Sequence, residues 1–199
     1  MKKIGLTGGI GVGKTFVASI FQQMGYAVFS ADMYAKKCMQ ESVQLQDAIV
    51  QFFGDAIYKK GVLQKQELAR VAFSDTEKLN KLNKLVHPFV QLEFQKWCKN
   101  QNSHFVLKEA AILFESGAYK NLDAIICVSA PVQTRIKRVM RRDNCSEQAV
   151  FRRIENQMLQ EEKERLSDFL IVNNGKDKLL PQIIRISEKL INEPLNNKV

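Results

Sequence analysis

The spacing of hydrophobic and polar positions changes several times along the chain, and each change marks an element. "KKIGLT" (2–7) is a short run with no polar stripe and predicts a buried strand. In "KTFVASIFQQMG" (14–25) apolar residues recur three and four positions apart, which predicts a helix ending at Gly25. "YAVFS" (26–30) predicts a second short strand. Two strands joined through a helix form a parallel crossover unit, so the expected architecture is α/β, a sheet covered by helices on both faces. Residues 31–100 carry mostly helical periodicity, interrupted at "FGDAIYKKGVL" (53–63) and at "VHP" (86–88), and no strand is predicted there. That stretch is too long for one crossover helix and reads as a helical insertion. "SHFVLKEAAILFE" (103–115), "LDAIICVSAP" (122–131) and "DFLIVNNG" (168–175) return to the strand pattern, giving a five-stranded sheet, with Pro131 placed in the first turn of the next helix. A charged helical stretch follows at 132–165, then an amphipathic helix at 177–192, and the tail "NEPLNNKV" is expected to fray.

Length and composition fit one domain, or a domain with an inserted subdomain: 199 residues with 45% apolar content can bury a sizeable core. Thirty Lys and Arg against 21 Asp and Glu give a formal charge of +9 and point to a polyanionic partner, nucleotide or nucleic acid. No zinc finger, single-strand aromatic platform or helix-turn-helix signal accompanies the charge, so no nucleic-acid partner is expected. Cys38, Cys98, Cys127 and Cys145 lack close pair spacing, which argues against a zinc site or a redox dithiol. Without a signal peptide or a run of 18 apolar residues, the expected location is cytoplasmic, with no membrane association.

The chemistry begins at "GLTGGIGVGKT" (5–15), where Gly8, four residues, Gly13, Lys14 and Thr15 have the phosphate-loop spacing. Glycine lets backbone amides approach phosphate oxygens, and the helix that follows aims its amino-terminal dipole at the same anion. In such a loop Lys14 reaches the β- and γ-phosphates and the Thr15 hydroxyl ligates magnesium; the alternative is a purely structural glycine turn. Asp32 stands just past the second strand, at the edge where parallel sheets bind ligands, and is a catalytic or magnesium-linked candidate or else a helix cap. Ser30 is placed to cap the next helix through its side chain. Glu109 is a second magnesium candidate, against a loop-orienting or surface role. Glu115 could hold a substrate group or a neighbouring Arg, or form a structural ion pair. Arg135, Arg138 and Arg142 share one side of a helix, with Arg141 nearby, and fit either a lid over phosphates or a solvated face paired with Asp143, Glu147 and Glu155.

With "SAD" (30–32), "LNKLVHPFV" (82–90), "AILFESG" (111–117), "RIKRVMRRD" (135–143) and "SDFLIVNNG" (167–175), the ordered set resembles the bacterial dephospho-coenzyme A kinases over nearly the whole chain. The resemblance implies a three-layer P-loop kinase fold with a five-stranded parallel sheet, a helical substrate-binding region and a lid. It divides the chain into a nucleotide-binding core (1–30 and 104–199, lid at about 135–165) and a helical coenzyme A-binding region (31–103). It implies transfer of the γ-phosphate of ATP, with Mg2+, to the 3′-hydroxyl of dephospho-coenzyme A, and no obligate protein partner. By motif, Gly11, Val12, Gly13, Lys14, Thr15 and Phe16 match the ATP loop, Asp32 the hydroxyl-activating acid, and His87 and Pro88 the substrate region. Arg138 and Arg142 match lid arginines, and Asn174 and Gly175 the segment near the base. His87 also fits a satisfied structural histidine. Ser30, Glu109 and Ala111 depart from the family pattern, which has Asp, Asp and Pro there. Another small-molecule or nucleoside monophosphate kinase would share the loop and lid, and a nucleotide-sensing module would share the loop alone.

Overall fold

The computed structural model describes residues 1–72 and 74–194, so the last five positions of the tail expected to fray lie outside the described residues. In chain order the elements are β1 (Lys2–Thr7), α1 (Lys14–Gln23), β2 (Ala27–Ser30), α2 (Ala31–Glu41), α3 (Val43–Phe53), β3 (Tyr58–Lys59), β4 (Val62–Leu63), α4 (Lys65–Ala72) and α5 (Thr76–Lys99). They continue with β5 (Phe105–Glu109), β6 (Ala124–Ser129), α6 (Val132–Asp143), α7 (Glu147–Glu155), α8 (Gln160–Leu166), β7 (Phe169–Val172) and α9 (Leu179–Asn192). The chain divides into two compact units: Met1–Phe29 with everything from Asn100 onward, and Ser30–Lys99.

The first unit holds a five-stranded parallel sheet in the order β2-β5-β1-β6-β7. β1 is central, in register with β5 (Leu6 opposite Glu109) and with β6 (Thr7 opposite Cys127). Its alternate residues serve two faces. Ile4 and Leu6 are fully buried among Val17 and Phe21 of α1, Ile126, Ile171, and Ile183 and Leu190 of α9. Gly5 looks the other way, where a Cβ would meet Leu113 Cδ2 at 2.5 Å. Cys127 also faces that side and accepts from Gln160 Nε2 of α8 at 3.4 Å, so helices cover both faces. Tyr26, just before β2, stacks on Phe105, the first residue of β5, with ring centroids 4.3 Å apart. The stretch "AILFE" contributes no strand; β5 ends at Glu109 and the chain then turns.

The second unit is helical, as its periodicity predicts, but two interruptions resolve otherwise. "FGDAIYKKGVL" contains a two-residue hairpin, Tyr58 opposite Leu63, turned at Lys60 and Gly61, both at positive φ (50° and 75°). A Lys-Gly turn between two-residue strands leaves no alternating run for sequence reading to detect. "VHP" breaks nothing: α5 runs through Pro88. Val86, Val90, Phe94 and Cys98, spaced by four, are all buried on one side of it, and that packing outweighs the roughly 3 kcal/mol helix cost of a proline.

The charged stretch 132–165 is three helices. Asn144 ends α6 in the left-handed region at φ 49°, and Ser146 starts α7 by accepting from Ala149 N at 3.3 Å. Pro131 is the N-cap of α6 and precedes its first turn. Ser30 occupies the N-cap of α2 in extended conformation but makes no side-chain cap hydrogen bond.

Candidate active site

The loop between β1 and α1 has a buried floor and a backbone that only glycine permits at two points. At Gly8 (φ 140°) a Cβ would meet the Val128 carbonyl oxygen at 2.4 Å. Gly13 (φ 94°) is the left-handed N-cap from which α1 starts. Between them Val12 is fully buried in the sheet core and pins the loop down. Lys14, 9% exposed, curls back so that Nζ donates to Gly8 O at 2.8 Å and Gly9 O at 3.4 Å. Thr15 and Phe16, in the first turn of α1, are exposed, Phe16 to 61%. The first-turn amides of a helix lack intrahelical acceptors, so the loop presents amide donors and an ammonium together, an anion cradle.

Five side chains from the later half of the chain hold this loop by its backbone, among them Gln157, whose Oε1 accepts from Ile10 N at 2.8 Å. Arg135 Nε donates to Ile10 O at 2.9 Å. Burial lowers the Arg135 pKa from its ordinary value, with Glu161, Cys127 and Glu164 opposing. Arg138 Nη1 donates to Val12 O at 3.3 Å, and Asn173 Nδ2 donates to the same oxygen at 2.8 Å. Gln160 Oε1 accepts from Gly9 N at 2.8 Å. The arginine helix therefore reaches the loop with its first two arginines.

Arg142 does something else. Its Nε and Nη2 make a fork on Asp143, at 2.7 and 3.0 Å, and Arg153 reaches the same carboxylate at 2.6 Å. The hydrogen bond from Arg142, reinforced by that from Arg153, holds the Asp143 carboxyl down to about 2. Asn174 folds into its own turn, its Oδ1 accepting from Lys176 N and Asp177 N, both at 2.9 Å, followed by Gly175 at φ 84°. Glu115 accepts from the fully buried Lys163 at 2.7 Å and from Met158 N at 3.0 Å, the ion-pair reading of this residue. Glu109 is buried at the end of β5, beside β1. In the helical unit, exposed Asp32 lies in the first turn of α2, and half-buried His87 and exposed Pro88 lie midway along α5.

The cradle, its lysine and the strand-loop-helix setting are those of a phosphate-binding loop, and comparison with known proteins shows which enzyme carries it. Residues 2–178 match the model of the dephospho-CoA kinase family. The chain belongs to that family. A dephospho-CoA kinase of Bacteroides fragilis is 35% identical over 185 residues, covering 92% of this chain and 90% of that one. Among solved structures, a Thermus thermophilus protein is 31% identical at a TM-score of 0.82, with 98% of each chain covered. A dephospho-CoA kinase from Campylobacter jejuni is 27% identical at a TM-score of 0.66, covering 95% of this chain and 96% of that one.

Sequence reading missed Asn173, Gln157 and Gln160 as groups on the loop. Asn173 had a usable signal, since it is the first residue beyond β7, at the strand edge where ligands bind. The glutamines had none, because nothing local distinguishes a glutamine that meets a distant backbone amide from one in solvent.

Proposed function

We infer that the protein transfers the γ-phosphoryl group of ATP to the 3′-hydroxyl of dephospho-CoA, giving CoA and ADP, the last step of CoA biosynthesis. The observation that carries this reading is the cradle at the start of α1, in a chain that matches the family from residue 2 to residue 178. In it the amides of Gly11 to Phe16 hold the polyphosphate, and Lys14 leaves its loop carbonyls for the phosphate oxygens. Arg138 supplies a guanidinium fork to the transferring group by releasing Val12 O and the Asn173 oxygens, and Arg142 joins it by exchanging Asp143 for phosphate. Asn174 and Gly175 border the adenine. Asp32 orients the acceptor hydroxyl and accepts its proton. His87 and Pro88 belong to the dephospho-CoA surface of the helical region, whereas Glu115 acts through its buried ion pair with Lys163.

A magnesium ion suits this donor set. Thr15 offers a hydroxyl in the exposed first turn of α1, and Glu109 a carboxylate at the end of β5. Among the described residues no three His, Cys, Asp or Glu side chains form a metal cage. One or two protein oxygens completed by phosphates and water is the usual arrangement for this cation. When bound, it neutralises charge on the phosphate oxygens. We place the reaction in the cytoplasm, whose reducing conditions suit four free cysteines, three of them buried.

The test is a coupled assay of ADP formation with dephospho-CoA, adenosine monophosphate and shikimate offered separately, each with a magnesium-free control. Magnesium-dependent turnover with dephospho-CoA is expected. Turnover with another acceptor and none with dephospho-CoA would overturn the assignment.

A further inference from the structure

Two consecutive amides of the phosphate loop are turned away from the cradle and met by side chains. Gly9 N donates to Gln160 Oε1 and Ile10 N to Gln157 Oε1, both at 2.8 Å. A backbone N–H needs an acceptor, so each carboxamide must present its oxygen, which leaves the NH2 group of Gln160 to point elsewhere. That group donates to Val128 O at 3.2 Å and to Glu164 Oε1 at 2.9 Å, so Gln160, only 8% exposed, ties the loop to the end of β6. Gln157 stands at the bend between α7 and α8, its own N–H bonded to Ile154 O at 3.0 Å.

Ile10 is fixed from its other sides as well. Arg135 holds its carbonyl, and its side chain packs against Ile136, Val139 and Val150 of α6 and α7. The peptide planes entering Gly9 and Ile10 are therefore held at their amides by Gln160 and Gln157, and at their carbonyls by Lys14, which reaches Gly8 O and Gly9 O, with Val12 N also on Gly9 O. Once Lys14 leaves those carbonyls for the phosphates, the two carboxamides are the side-chain acceptors that keep either amide from rotating toward the anion, and without them the cradle would present a different set of donors.

We propose that Gln157 and Gln160 are positioning residues for phosphoryl transfer, acting as fixed acceptors that turn the amides of Gly9 and Ile10 outward and so select which amides face the phosphates. This rests on the loop being the ATP site. It also makes the junction of α7 and α8 part of the loop's own architecture, so a change at this junction alters catalysis without touching substrate.

The test compares Gln157→Met, which fills similar space without an acceptor, with Gln157→Glu, which keeps an oxygen at the same reach. Both are measured in the full chain by steady-state kinetics and thermal unfolding, beside Gln160→Met and Lys14→Met. Gln157→Met should lower kcat by about fivefold to tenfold, the equivalent of one neutral hydrogen bond, while the KM for dephospho-CoA stays unchanged. Gln157→Glu should keep kcat within about threefold and raise the KM for ATP, because its added negative charge repels phosphate. Equal kcat losses in the Met and Glu variants, or a lower unfolding temperature with unchanged kcat in Gln157→Met, would overturn the proposal. Gln160→Met is buried and informative only where it folds, in which case it should follow Gln157→Met. If Lys14→Met is fully active, the ATP-site reading itself fails; if Lys14→Met is inactive and the glutamine variants are normal, only the positioning role fails.

Discussion

One guanidinium nitrogen of Arg138, Nη2, donates to both the backbone carbonyl and the side-chain oxygen of Asn173, at 3.1 and 3.2 Å. Both residues also donate to the carbonyl of Val12. This triangle joins α6, the end of β7 and the phosphate loop, and it explains why glycine is needed at position 13, where a Cβ would come within 2.4 Å of Asn173 Nδ2.

A lysine at 138 keeps the charge but gathers its donors on one nitrogen, so it cannot span Val12 O and both oxygens of Asn173. Arg138→Lys is expected to lower kcat/KM for ATP by about tenfold or more while the protein stays folded. Steady-state kinetics with circular dichroism checks this. Parent-like kinetics would mean that neither the guanidinium fork nor its bonds to Val12 and Asn173 contribute to turnover.

The ion pair of Lys163 and Glu115 is buried on one side only: the lysine side chain is 0% exposed and the glutamate 22%. Lys163 also donates to Ala111 O at 2.7 Å, so it ties α8 to the turn after β5. Removing one partner of a buried pair costs about 3–5 kcal/mol, and because Glu115 can rehydrate the lower end applies. Lys163→Met is predicted to lower Tm by roughly 6–12 °C. Glu115→Gln should also lose stability while the KM for dephospho-CoA holds; a raised KM with unchanged Tm would return Glu115 to the substrate surface.

Thr7, at the end of β1, is fully buried, and its hydroxyl has no hydrogen-bond partner. Valine has nearly the same shape without the unsatisfied oxygen. Thr7→Val is therefore expected to leave stability unchanged or raise it by up to about 1 kcal/mol in urea unfolding. A loss of that size would show that the hydroxyl is hydrogen-bonded in solution, for example to a buried water.

Asp143 titrates lower in the fold, at about 2, than its ordinary value of 3.8. A depressed carboxyl stabilises the fold fully above the unfolded pKa and loses that contribution as pH falls through the folded one. The stability difference between the parent and Asp143→Asn should thus be constant above about pH 5 and shrink between about pH 4 and pH 2. Denaturant unfolding across that range measures it. Because the partners are exposed arginines, the difference is expected to be small, and a constant offset down to pH 2 would exclude the ion-pair origin.

What the sequence made legible follows from the range of the forces involved. Strand runs, the phosphate-loop spacing and the helical excursion are local patterns, and they are present in the fold as the five-stranded sheet, the glycine-capped start of α1 and the helical unit. The hairpin at Tyr58–Leu63 escaped because two-residue strands carry no period. Pro88 misled because a local helix penalty was weighed without the packing of Val86, Val90, Phe94 and Cys98. The arginine periodicity was correct as geometry, yet periodicity alone could not divide Arg135 and Arg138, which hold loop carbonyls, from Arg142, which holds Asp143. Asn173 and Gln160 meet the loop across more than 150 positions of sequence, a distance no motif spans.

Asp32 lies in the first turn of α2, two residues beyond β2, and is exposed. Neighbouring Ser30 makes no side-chain cap hydrogen bond, and an acidic residue so near a helix start is also favoured by the helix dipole. Two roles are thus separable by charge and shape. Asp32→Asn keeps the shape and a hydrogen-bonding group but removes the carboxylate that accepts a proton. As a base toward the 3′-hydroxyl of dephospho-CoA, Asp32 should be worth about 10²-fold or more in kcat, with ATP affinity retained. In a loose phosphoryl-transfer transition state part of that loss belongs to acceptor orientation, so Asp32→Ala should fall below Asp32→Asn. Turnover is measured at saturating concentrations of both substrates, and ATP affinity separately by calorimetry. As a contributor only to the helix start, Asp32 would instead show a loss of about 1 kcal/mol in stability with turnover within about twofold of the parent, and that result would remove it from the reaction.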